Sequence, residues 1–102
     1  MLSLLSPSKA QTIIASHVRG RRINLGLTQD GLATRADVAL PTLRRFEQQG
    51  LISLEALLKI LSVVGGLDEI VKALEPQTPE FSSIDDVLQA DAKPKRKKGW
   101  RK

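Results

Sequence analysis

The sequence predicts an all-α protein of five helices with a flexible C-terminal tail, and three observations support this prediction. Apolar residues up to Glu75 recur at helical spacings of three, four or seven, and no alternating strand pattern competes with them. Glycine and proline fall between the apolar runs, where helices begin and end. After Pro76 the composition changes to proline, serine, threonine and acidic residues, which provide too little apolar surface to fold unaided.

The first helix is predicted to begin near Ser8 and to close at Leu25. One of its faces carries apolar residues that are four or seven positions apart: Ala10, Ile14, Val18 and Leu25. Gly26 follows directly, and glycine readily adopts the left-handed conformation that ends many helices. We therefore expect the chain to turn at Gly26.

A short second helix is predicted from Gln29 to Ala36. Thr28 is expected to cap its start with a side-chain hydroxyl, and Asp37 is expected to end it, because Asp tolerates tight-turn geometry better than most residues. One face of this helix is apolar and small enough for close packing: Leu32, Ala33 and Ala36. The connection to the next helix is very short.

The third helix is predicted from Leu40 to Gln48, with Pro41 in its first turn, the only place where an α-helix accepts proline readily. Gly50 is expected to end it. Its spacing divides the side chains into two groups, with Leu43 and Phe46 facing inward and three polar residues available to a partner: Arg44, Arg45 and Gln48.

The fourth helix follows Ser53, its expected N-cap, and has the strongest helical periodicity of the chain: Leu54, Leu57, Leu58, Leu61 and Val64. Gly65 and Gly66 interrupt this pattern. A fifth helix is predicted from Leu67 to Leu74 and carries a single apolar side: Leu67, Ile70, Val71 and Leu74. Pro76 then ends the regular structure.

Charge is unevenly distributed along the chain, whose formal net charge is +5. Residues 1–75 contain nine basic and seven acidic side chains, residues 76–92 contain four acids and no base, and residues 93–102 contain seven bases and no acid. We therefore expect a folded domain over 8–75 and a flexible tail over 76–102, composed of an acidic linker and a basic end. Ser83 and Asp86 of the linker resemble the start of a capped helix with a short apolar face: Phe81, Ile84, Val87 and Leu88.

Composition argues against several classes of function. Cysteine is absent, so disulfides, thiolate metal sites and cysteine catalysis are excluded. His17 is the sole histidine and has no catalytic or metal-binding motif around it, so we expect no enzymatic activity, no cofactor and no bound metal. No apolar run approaches the roughly 20 residues needed to cross a bilayer, and we expect a cytoplasmic protein.

Three parts of the sequence resemble the phage-repressor-like, or XRE, helix-turn-helix family. They are the run Arg21 to Ala33, which includes Leu-Gly-Leu-Thr-Gln, the run Pro41 to Glu47, and the pattern Ser53, Leu54, Leu57 and Ile60. The resemblance extends from Ala10 to about Leu74. It implies a five-helix lambda-repressor-like domain that binds operator DNA at an inverted repeat as a homodimer, with the third helix of each copy in a major groove.

The resemblance also implies roles for individual residues. Thr28 and Gln29, at the start of the second helix, would contact phosphates and set the register of the protein on DNA. The third helix would supply the remaining contacts to DNA: Ala39, Leu40, Pro41, Thr42, Arg44, Arg45 and Gln48. Arg45 would make a bidentate contact to guanine, whereas Leu40 and Pro41 depart from the polar residues common in the family and leave thymine methyl groups or DNA shape as sources of specificity.

Two structural roles complete this prediction. Arg22 and Glu47 occupy the family positions of an ion pair between the first and third helices, which we expect to hold geometry and not to contact DNA. Dimerisation is expected to use apolar residues that one domain cannot bury: Val63, Val64, Leu67 and Ile70.

The order of a compact domain, an acidic-apolar linker and a basic end is similar to that of HipB-type antitoxins, which repress their own operon and bind a HipA-like serine/threonine kinase toxin. A phage repressor or a restriction-system controller would share the same core residues. A third alternative is a protein-binding inhibitor or adaptor whose Phe81–Leu88 segment folds on a partner. In the basic tail, Trp100 is compatible with a partner anchor and the charges with auxiliary, nonspecific DNA binding.

Overall fold

The computed structural model describes residues 4–77, which form five α-helices and no strand: Pro7–Asn24 (α1), Gln29–Ala36 (α2), Leu40–Gln49 (α3), Leu54–Val64 (α4) and Leu67–Ala73 (α5). The predictions of an all-α architecture and of five helices are confirmed for this part of the chain, and each helix boundary lies within one residue of its predicted position. The acidic linker beyond Gln77, the Phe81–Leu88 segment, the basic end and Trp100 lie outside the described residues.

Hydroxyl side chains determine where three of the helices begin. Thr28 Oγ1 accepts a hydrogen bond from the backbone N–H of Gly31 at 2.9 Å, and Ser53 Oγ accepts one from Ala56 at 3.1 Å, which confirms both predicted N-caps. Ser6 Oγ caps α1 in the same way, and Pro7 occupies its first turn. The first helix therefore starts one residue earlier than predicted.

The connection between α2 and α3 consists of residues 37–39. Asp37 adopts the left-handed conformation, with φ 57° and ψ 48°, as the sequence predicted for the end of α2. The backbone N–H of Val38 then donates to Ala33 O at 3.0 Å, so the chain reverses without leaving this amide unpaired. The turn brings α3 directly against α2.

Four helices contribute the buried core, whose largest fully buried side chains are Leu32, Leu43, Phe46 and Ile60. Further buried residues from α1, α2 and α4 complete the core: Ala15, Val18, Ala33, Ala36, Leu61 and Val64. The fifth helix only packs partly buried residues against this core, among them Leu67 and Ile70. None of the helices within residues 4–77 has the combination of length and apolar character needed to cross a bilayer.

The buried face of α1 differs from the predicted one. Ile14 and Leu25 are exposed, whereas α1 buries Ala15, Val18 and Arg22. Apolar spacing alone did not place an arginine on this face, although the family resemblance predicted its pairing with Glu47; Arg22 is accommodated because that carboxylate from α3 meets it there. A second correction concerns α4, because Val64 lies in the core and is not available to a dimer surface.

Gly50 ends α3 at the point where α1 approaches most closely. Its φ of +76° is in the left-handed region, and a Cβ at this position would lie 3.0 Å from the carbonyl carbon and oxygen of Gln11. Gly26, at the end of α1, has a similar φ of +72° but no atom within 4 Å of the corresponding point. Both glycines adopt the left-handed conformation that other residues rarely take. Only Gly50 also lies so close to another helix that a side chain would meet its backbone.

We predict that Gly50→Ala lowers the free energy of unfolding more than Gly26→Ala does. Left-handed strain is expected to cost about 1–2 kcal/mol in both variants, and the clash with the α1 backbone is expected to add about 1–3 kcal/mol at Gly50. Urea unfolding followed by circular dichroism measures both values. Equal losses of unfolding free energy in the two variants would show that the α1 backbone does not clash with a side chain at position 50.

Candidate nucleic-acid interface

One face of α3 is formed by four exposed side chains at helical spacing: Pro41, Arg44, Arg45 and Gln48. We call this set the α3 stripe. On the opposite face Leu43 and Phe46 are fully buried, so the division predicted from the sequence is confirmed. The exposed side of α3 is therefore rich in hydrogen-bond donors and carries one apolar residue at its start.

The two guanidinium groups of the α3 stripe are free of acidic partners. Ion pairs within residues 4–77 involve Arg22 with Glu47 and Lys59 with two exposed carboxylates, and none reaches Arg44 or Arg45. A solvated arginine on a helix surface often pairs with a carboxylate three or four residues away. Here the nearest acid at such a spacing, Glu47, is used elsewhere, and both positive charges remain available.

The other predicted contact residues of α3 lie at its start and along one edge. Ala39 is the exposed N-cap, Thr42 is half-buried, and Leu40 packs partly against the core. Thr42 and Arg45 line a shallow cleft together with residues of α1 and the α3–α4 loop: Gln11, Leu51, Ile52 and Ser53. Arg45 therefore lies on the loop side of the α3 stripe.

A buried ion pair joins α1 to α3. Arg22 Nε donates to Glu47 Oε2 at 2.7 Å and Arg22 Nη2 donates to Oε1 at 3.0 Å, while Arg22 Nη1 donates to Leu27 O at 2.9 Å. The side chains are only 11% and 3% exposed. The pair predicted from the resemblance is thus formed, and it contacts a third element, the α1–α2 loop.

Gln29 is part of the same network, which the sequence did not indicate. Its Nε2 donates to Glu47 Oε1 at 3.0 Å, so the first residue of α2 is tied to the carboxylate on α3. A primary amide nitrogen has two hydrogens, and one remains for another acceptor. The predicted phosphate contact of Gln29 stays a prediction, and the network holds the side chain in place beside α3. We call these contacts of Arg22, Glu47, Gln29 and the Leu27 carbonyl the Arg22–Glu47 network.

The Gln29–Glu47 bond also shows which side of the α3 stripe faces α2. Glu47 is one turn after Arg44 and is adjacent to Gln48, so the start of α2 lies along the Arg44 side. Thr28, the exposed N-cap of α2, is next to Gln29 in this position. Two residues predicted to contact phosphates are thus placed on the flank of the helix predicted to contact bases.

His17 is exposed on α1, and within residues 4–77 no three histidine, aspartate or glutamate side chains come together as metal ligands would.

No model of a known protein family matches the sequence, and no curated protein sequence matches it. The resemblance to repressors therefore stays a prediction. The geometry of α2 and α3 is the observation from which a function can be proposed.

We predict that Glu47→Ala lowers the free energy of unfolding by about 3–5 kcal/mol, because Arg22 would remain buried without its partner. Glu55→Ala is the control, since Glu55 pairs with Lys59 at the surface and is expected to contribute at most about 1 kcal/mol. Replacing both buried partners, as in Arg22→Met with Glu47→Leu, should cost less than Glu47→Ala alone. A loss for Glu47→Ala no larger than for Glu55→Ala in urea unfolding would contradict this assignment.

Proposed function

We propose that the protein is a sequence-specific DNA-binding transcriptional repressor that inserts α3 into the major groove. The observation that carries this proposal is the α3 stripe, whose two arginines project from a helix with no acidic partner within residues 4–77. An α-helix with side chains is about 10–12 Å wide and the major groove about 12 Å, so a single exposed helix fits.

The side chains of the α3 stripe match the chemistry of base edges. Arginine can donate two parallel hydrogen bonds to guanine O6 and N7, and Arg45 is free to do so. Gln48 can pair with adenine, and Pro41 offers only apolar contact, which suits the methyl group of thymine. Leu40 is partly held by the core, so its share in such contacts is smaller than that of Pro41.

The flank formed by α2 supplies sequence-independent contacts. The hydroxyl of Thr28 and the remaining amide hydrogen of Gln29 are donors beside Arg44, where the sugar-phosphate backbone would run along an occupied groove. Because the Arg22–Glu47 network fixes Gln29 relative to α3, a phosphate bound at this flank would set the register of α3 on the bases.

A homodimer would extend this contact to two half-sites. The apolar side of α5 is only half covered by its own chain, since Val71 is 61% and Leu74 77% exposed, while Leu67 and Ile70 are partly buried. A second copy packed on this side would remove the apolar residues from water and relate the two α3 helices by two-fold symmetry. Such a dimer suits an inverted repeat with half-sites about 34 Å apart.

The narrower prediction of a HipB-like antitoxin that binds a HipA-like kinase draws on residues after Pro76, and so does the alternative of a protein-binding adaptor. Neither is needed for the DNA contact proposed here. Purification of the full chain from its native host, with identification of copurified protein and DNA, distinguishes them. A kinase-like partner would support the antitoxin, whereas a partner without bound DNA would make the adaptor role primary.

We predict that the wild-type protein enriches a defined sequence from a pool of randomised DNA duplexes. Arg45→Ala is expected to weaken binding to that sequence by about 1–3 kcal/mol and to relax preference at one base pair, because a bidentate guanine contact is lost. Arg19→Ala removes the same charge from an exposed position on α1 and should leave the base preference unchanged. Failure to enrich any sequence would overturn the proposed function, and unchanged binding by Arg45→Ala would remove Arg45 from base reading.

We predict that Val71→Glu shifts the protein from dimer to monomer, because a charge would be buried in the α5 interface. Leu54→Glu is the matched control, since Leu54 is equally apolar and 67% exposed but lies at the start of α4. Sedimentation equilibrium over a range of protein concentrations gives the association constant. Dissociation by Leu54→Glu and not by Val71→Glu would place the interface elsewhere.

A further inference from the structure

We propose that Arg35, on α2, is a further phosphate contact that flanks the α3 stripe; this inference rests on the proposed function and deepens it. No role for Arg35 is predicted from the sequence, because it lies in the last turn of the second helix and outside the pattern of DNA contacts that the resemblance implies. Three observations on its surroundings support the assignment.

The charge of Arg35 is not neutralised within the described chain. Arg35 is exposed, and no ion pair within residues 4–77 includes it. The two nearest acids along the chain are Asp37, whose carboxylate lies 3.9 Å from Lys59 Nζ, and Asp30, five residues earlier on α2, which forms no ion pair within residues 4–77. Arg35 therefore resembles Arg44 and Arg45 in presenting a positive charge that has no structural partner.

The guanidinium of Arg35 lies over the first turn of α2, whereas the backbone of Arg35 lies in the last turn. Its Nη1 is 3.6 Å from the point where a Cβ of Gly31 would be, and Thr28 Oγ1 is 3.2 Å from the same point. Helix side chains lean toward the N-terminus, so the side chain of Arg35 runs back over the turn that contains Gly31. Gly31 has no side chain, and the guanidinium lies within van der Waals distance of its Cβ position.

This position coincides with the flank where phosphates are expected. Thr28 precedes Gln29, and Gln29 is bonded to Glu47 beside Arg44 and Gln48. The guanidinium of Arg35 is thus at the end of α2 that adjoins the α3 stripe, although its own Cα is at the opposite end of the helix. The reach of the Arg35 side chain therefore places a positive charge about one helical turn before its own Cα, toward the expected DNA backbone.

A guanidinium in this position fits a phosphate by charge and by geometry. Arginine donates paired N–H groups in one plane, which match two phosphate oxygens, and the Thr28 hydroxyl beside it supplies another donor. The contact would not depend on the base sequence. It would add affinity and salt dependence, and it would leave base preference to the α3 stripe.

The test compares Arg35→Gln with Lys72→Gln on the duplex that the wild-type protein enriches. Lys72 is an exposed base on α5, so its replacement removes the same formal charge away from α2. Fluorescence anisotropy titrations at KCl concentrations from about 50 to 200 mM give the slope of log K against log salt. Arg35→Gln should reduce the magnitude of this slope by about 0.9 and weaken binding about fivefold near physiological salt.

Further variants separate the local contact from general effects of charge. Arg35→Lys keeps the charge and should retain most of the salt slope. Gly31→Gln would displace the guanidinium from Thr28 and should lower the slope while Arg35 is still present. The base preference of all these variants should equal that of the wild type.

The possible failures are distinguishable. If the wild type enriches a duplex and Arg45→Ala alters its preference, but Arg35→Gln gives the same slope as Lys72→Gln, then Arg35 is no phosphate contact and the proposed function stands. If the wild type enriches no duplex, the proposed function fails and the role of Arg35 fails with it. Circular dichroism of each variant verifies that the compared proteins are folded.

Discussion

A buried ion pair between Arg22 and Glu47 ties α3 to the helix at the start of the chain. A buried charge is costly unless it is paired and its remaining polar atoms are bonded. Here the guanidinium uses three nitrogens and the carboxylate accepts three hydrogen bonds, including one from Gln29. Because these partners come from α1, the α1–α2 loop, α2 and α3, the ion pair and its hydrogen bonds fix how four parts of the chain meet.

The arrangement separates charges that hold the fold from charges that remain free. Arg22 is buried and paired with Glu47. In contrast, Arg35, Arg44 and Arg45 have no ion-pair partner within residues 4–77. These three unpaired arginines lie on α3 and over the first turn of α2, and the Gln29–Glu47 bond keeps these two places together. A set of unpaired cations on and beside an exposed helix is suited to a polyanion with a groove, and this physical match supports the proposed binding of duplex DNA.

Incomplete burial of apolar residues on α5 explains why a second copy of the chain is proposed. A domain of this size buries a limited core, and α5 contributes only half-covered side chains to it. Val71 and Leu74 leave an apolar surface at the edge of the domain. This surface is on a different helix from the α3 stripe, so dimer formation and DNA contact would use separate parts of the molecule.

Sequence alone determined the helices and their ends, because capping, proline placement and left-handed turns act over at most four or five residues. Thr28, Asp37 and Ser53 were identified in this way, and so was the exposed side of α3. The tertiary structure decided which face of α1 is buried, with Ile14 outside and Arg22 inside. It also decided the partner of Gln29, which is eighteen residues away. Such contacts depend on how helices pack in space, and spacing along one helix carries no information about a carboxylate that arrives from another.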